Sequence, residues 1–120
     1  MYRFHVHVVA AEAATAMMSF DSAAAALSKL VRLFIEPDGS FVWAGVDAGA
    51  AWQVDGNLID RGACLAYVEL LGRCPEERFS ELLAAVGWPQ SRLAFQLPRR
   101  GVMLNEAEFR QLAASELGAV

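Results

Sequence analysis

A chain of 120 residues fits one domain with one core, large enough to fold without disulfide or metal staples. The net charge is −4, Lys29 is the only lysine, and adjacent arginines occur only at Arg99–Arg100. That balance argues against nucleic acid, whose phosphates are neutralised by clustered cations.

No run reaches the eighteen or so apolar residues of a membrane span. The first stretch, MYRFHVHVV, lacks the basic and long apolar regions of a signal peptide. The expectation is a cytoplasmic protein with reduced thiols. Cys64 and Cys74 agree: ten extended residues at about 3.3 Å each put them roughly 25–33 Å apart, beyond disulfide reach.

Taken in order, Tyr2–Val9 alternates, with Tyr2, Phe4, Val6 and Val8 on one face and Arg3, His5, His7 and Val9 on the other. That is a strand with one face on the core. Ala10–Ser19 is Ala-rich without a firm stop signal and reads as a loop. Asp21 or Ser22 caps a helix through Leu30, with Phe20, Ala24, Leu27 and Val31 as its apolar stripe. Pro37, Asp38 and Gly39 supply turn chemistry, predicting a hairpin of Leu33–Glu36 with Ser40–Gly45. Val46–Ala51 reads as a small-residue linker.

Trp52–Gly72 predicts a long hairpin, its turn at Asp60–Ala63 in preference to Asp55–Gly56. Its second arm, Cys64–Leu71, is apolar at nearly every position. A strand of that kind belongs in the middle of a sheet, covered on both faces. Pro75 opens a helix with Glu76 and Glu77 in its first turn and Phe79, Leu82, Leu83 and Val86 as a core stripe. Gly87 and Pro89 end it. Arg92–Leu97 alternates as a strand. Asn105 and Glu108 have capping-box spacing ahead of a last helix, Glu106–Glu116.

The fold class expected is therefore α+β over residues 1–120: a mixed or mainly antiparallel sheet of about five to six strands with two to three helices. It is loosely ferredoxin-like, in the order β-α-β-β-β-β-α-β-α.

Four places carry candidate chemistry. His5 and His7 share a strand face about 6.5–7 Å apart along the backbone, close enough to share a metal if Glu12, Asp55 or Glu69 joined them. The plainer reading is two solvent-side histidines, with no bound metal and no cofactor. Cys74, beside a helix start, has the placement of an activated thiol, opposed by Glu76 and Glu77. Asp55 and Asp60 suit turns. Glu69, between apolar neighbours, needs a partner such as Arg3 or Arg73. Arg99–Arg100–Gly101 reads as a solvated turn.

No phosphate loop, nucleophile elbow or zinc-type cysteine cluster is present. With Phe41, Trp43, Trp52, Leu65, Val68, Leu70 and Leu71 crowded into a short region, excess apolar surface points to a partner. The function expected is a non-catalytic interaction or ligand-binding domain, self-associating as a homodimer or covered by another protein. Trp43, Trp52, Tyr67 and Glu69 would line any ligand pocket. The alternative is a small metal- or thiol-dependent enzyme using His5 and His7 or Cys74.

Overall fold

The computed structural model describes residues 1–12 and 16–115. It is an α+β fold of seven strands and three helices: β1 (Tyr2–Ala10), α1 (Phe20–Ser28), β2 (Leu33–Ile35), β3 (Ser40–Asp47), β4 (Ala50–Arg61), β5 (Cys64–Cys74), α2 (Glu76–Ala85), β6 (Leu93–Leu97), β7 (Val102–Leu104) and α3 (Glu106–Ala114). The strands form one sheet in the order β2-β3-β4-β5-β1-β6-β7, antiparallel at every pairing. The sheet is thus larger than the five to six strands expected, because β7 is added. Val102–Leu104 is too short for period two to stand out, and it forms through the turn at Gly101, whose φ is +65°.

The strand β5 lies fourth of seven, at the centre of the sheet as its apolar character implies. The hairpin turn between β4 and β5 falls at Gly62, φ +66°, within the expected Asp60–Ala63. The segment Val46–Ala51 is not a linker. Ala48 (φ +50°) and Gly49 (φ +78°) close a tight hairpin between β3 and β4, positive at both positions as a primed turn requires.

Each helix has a local cause. Ser19 caps α1 by accepting from the Ser22 amide. The helix ends at Ser28, so Val31 falls beyond it and is 82% exposed rather than part of the stripe. Pro75 stands at the N-cap of α2, one position earlier than expected. In α3, Asn105 accepts from the Glu108 amide while the Glu108 carboxylate accepts from the Asn105 amide, completing the capping box. That helix ends at Ala114 with Ser115 as its C-cap, short of the expected Glu116; Glu116, and residues 13–15 of the expected Ala10–Ser19 loop, lie outside the described residues.

The helices share one face. Phe4, Val6, Val8, Val54, Val68, Leu70, Phe95 and Leu97 point into a cluster with Leu27, Phe79, Leu82, Leu83 and Phe109, all essentially unexposed. Phe79 of α2 packs on Tyr2 (5.6 Å between ring centroids), Phe4 (5.1 Å) and Phe109 (5.5 Å). Phe109 of α3 stacks on Phe95 at 5.0 Å. Where β3 and β4 carry glycine on this face, an aromatic ring takes the space. A Cβ on Gly56 would come within 2.0 Å of the Phe41 ring, and one on Gly45 within 2.5 Å of the Trp52 ring.

Among the described residues the other face of the sheet has no helix over it, which corrects the expectation that β5 is covered on both sides. The apolar run of β5 misled because its alternation changes phase. Asp60 pairs with Leu65 but Ile59 pairs with Tyr67, leaving Ala66 as a bulge. A bulged residue shifts every later side chain by one position. Leu65, Val68 and Leu70 therefore face the helices, while Tyr67, Glu69 and Leu71 face outward, none of these three buried.

Candidate functional site

The open face is ordered in rows set by the strand register. One row runs Phe34, Val42, Asp55, Leu71, His5 across β2, β3, β4, β5 and β1. The next runs Ser40, Asn57, Glu69, His7, Gln96, Met103 from β3 to β7. The two histidines and Glu69 sit where these rows cross the central pair, β5 and β1.

His7 stands directly opposite Glu69, and His5 is two residues along the same face. Both imidazoles turn their Nε2 to one carboxylate oxygen. His5 donates to Oε2 of Glu69 at 3.0 Å and His7 donates to the same atom at 3.3 Å. The three ligand-capable atoms all lie within 4.8 Å of one another. Tyr67 stacks on the His7 ring at 4.5 Å and 29°, and the Asn57 amide stands 3.5 Å from the other oxygen of Glu69. The Nε2–H groups of His5 and then His7 hold the Glu69 carboxyl below its ordinary value, against the opposing effect of partial burial. The carboxylate is thus kept anionic beside two imidazoles.

Of the three acidic residues considered as a third ligand, the fold brings only Glu69 to the histidines. Glu12 accepts from Arg92 at 3.1 Å. Asp55 lies in the middle of β4 rather than in a turn, and accepts from Gln53 at 2.9 Å. The partner of Glu69 is the histidine pair instead of Arg3 or Arg73, which stand opposite each other one row beyond His5 and Leu71 on the same face. Asp60 precedes the Gly62 turn beside the bulge. Arg99 and Arg100 lie in the exposed β6–β7 turn, as expected.

The four residues proposed for one ligand pocket are divided by the sheet. Tyr67 and Glu69 are on the open face, whereas Trp43 and Trp52 are 2% and 5% exposed on the helix side, edge to face at 4.9 Å. The tryptophans border a separate cleft of about 510 Å³ with Lys29, Arg32, Asp47 and Arg78. Their indole N–H groups are both used, Trp43 donating to the Val31 carbonyl at 2.9 Å and Trp52 to Asp47 at 3.2 Å. Arg78 reaches Asp47 at 3.0 Å and Glu81 at 2.7 Å. The Trp52 indole, then Arg78, lowers the Asp47 carboxyl below its usual value.

Cys74 is the last residue of β5 and is wholly buried. Burial pushes its thiol from 9.0 up to about 12, the reverse of what a nucleophilic cysteine needs.

Asn57 and the Asp47–Arg78 pair carry roles that sequence reading passed over. Asn57 was detectable as the next member of the polar face Gln53, Asp55, Asn57 of β4. Nothing local links Asp47 to Arg78, 31 residues apart. Compared with known protein families, curated proteins and solved structures, the chain matches none of them.

Proposed function

We propose that this chain is a cytoplasmic interaction or ligand-binding domain without catalytic machinery, self-associating through the open face of its sheet. The observation that carries the reading is the placement of all three helices of the described residues on one side. The uncovered side presents Phe34 at 74%, Leu71 at 48% and Met103 at 54% exposure. Large apolar side chains aligned on a rigid, uncovered sheet are the surface that association removes from water. Phe34, Val42 and Leu71 share one row with Asp55 and His5, and Met103 ends the more polar row beside it, so apolar and polar groups alternate across the face and a partner must match both. Nucleic acid is not the proposed partner, given the net charge of −4. Among the described residues no helix is long and apolar enough to cross a membrane.

Sedimentation at micromolar concentration tests the reading. A dimer that a Val42→Arg/Leu71→Arg double variant converts to a folded monomer supports it. A strictly monomeric parent chain overturns self-association and leaves a different partner protein. The second reading, metal-dependent chemistry, is favoured by one observation: the convergence of His5, His7 and Glu69.

A further inference from the structure

We propose that His5, His7 and Glu69 form a binding site for one divalent first-row transition ion of the zinc type, held by two imidazole nitrogens and one carboxylate oxygen. The donor set selects the ion class. Imidazole suits zinc, copper, nickel and iron, whereas magnesium and calcium prefer all-oxygen surroundings.

The spacing fits. Metal–ligand bonds of about 2.0–2.1 Å place neighbouring ligands of a tetrahedral ion roughly 3.3 Å apart. The two histidine nitrogens already stand 3.0 and 3.3 Å from Oε2 of Glu69. One ligand-capable atom from each of the three residues lies within 4.8 Å of the other two, so small rotations of the imidazoles close the site. The ion takes the place of the Nε2 protons. A neutral imidazole then carries its proton on Nδ1, and a protonated one releases a proton on binding.

The frame is preorganised. His5 and His7 belong to β1 and Glu69 to β5, the paired strands at the centre of the sheet. Ligands on rigid strands hold their geometry better than ligands on loops. Tyr67 stacks at 29° on the His7 ring and Asn57 stands at the second oxygen of Glu69, outer contacts that orient the ligands. Within one chain the site is half-open: His5 and His7 are partly exposed, and no helix among the described residues covers them. Three protein ligands with the remaining position turned to solvent is the arrangement of an ion that can bind a further group.

The test uses the full chain, stripped with a chelator and titrated with zinc against a chromophoric competitor, with cobalt as an absorbance probe. The expected result is one ion per chain, with zinc raising the melting temperature and millimolar magnesium failing to compete. His5→Gln, His7→Gln and Glu69→Gln should each weaken zinc by about 100-fold or more, beyond the 10–100-fold typical of losing an outer partner. Tyr67→Leu should weaken it by about 10-fold. Circular dichroism checks that each variant is folded; because these side chains lie on the uncovered face, folding should persist.

Equal zinc affinity in the parent chain and the His5→Gln/His7→Gln double variant would overturn the proposal. So would one ion per two chains lost on dissociation of a dimer, which would assign the ligands to two copies. The site lies within a single chain, so zinc binding by a monomer supports it even where self-association fails.

Discussion

The two faces of the sheet are built from the same strands by opposite rules. Toward the helices, Phe4, Val6, Val8 and Leu70 are fully buried. There the rings of Phe4, Phe79, Phe95 and Phe109 form one continuous cluster of contacts. On the reverse, at alternate positions of those strands, stand Arg3, His5, His7, Glu69 and Leu71, none of them buried. The first face derives its order from packing density, the second from hydrogen bonds and register. A central strand with apolar residues on both sides therefore need not be covered on both sides. A bulge redirects the apolar phase, and the leftover outward positions become available for binding.

The sharpest way to test that contrast is to truncate the packed face. Phe79→Ala removes a ring touching Tyr2, Phe4 and Phe109 and should cost about 3–5 kcal/mol in denaturant melts, with Leu83→Ala at about 2–5 kcal/mol. A loss below about 1 kcal/mol would mean that the helices do not press on this face as described.

Next in size is Gly56→Ala. Its Cβ would enter the Phe41 ring, and overpacking of that kind costs typically 1–3 kcal/mol. An unchanged denaturation midpoint would show that Phe41 swings away freely.

Cys74 supplies a pH signature of the buried side. Its folded value is raised, so its contribution to stability is fully present below the unfolded thiol's 9.0. It is lost as pH climbs toward about 12. Melting temperature should fall along that alkaline limb, and less steeply in Cys74→Ala. Thiol reagents at neutral pH should leave Cys74 untouched until denaturant is added. Labelling of Cys74 in the native protein would contradict its burial.

The smallest effect is expected on the open face. Leu71→Ser, at 48% exposure, should change the stability of the dissociated chain by no more than about 0.5 kcal/mol. A much larger loss at concentrations where the chain is monomeric would place Leu71 in a packed environment and erase the distinction between the faces.

Much of the packed face was legible in the sequence. The alternation of β1, the stripe of Phe79, Leu82, Leu83 and Val86, the capping box of Asn105 and Glu108, and the turns at Gly39 and Gly62 each depend on residues a few positions apart. Local period and backbone preference suffice for such features. The central position of β5 followed from its composition alone. The primed turn at Ala48–Gly49 was present in the sequence but hidden by small residues that also suit a linker.

Tertiary structure decided the open face. His5 and His7 share a strand side by simple alternation, but Glu69 lies 64 and 62 residues away from them. It joins them only because β1 pairs with β5 in the register that sets His7 opposite Glu69. The bulge at Ala66 then decides which way Glu69 points, and a slip of one residue would have turned it into the core. It likewise parted Tyr67 and Glu69 from Trp43 and Trp52. No local pattern encodes such a pairing, because register between distant strands is chosen by the packing of the whole face beneath it.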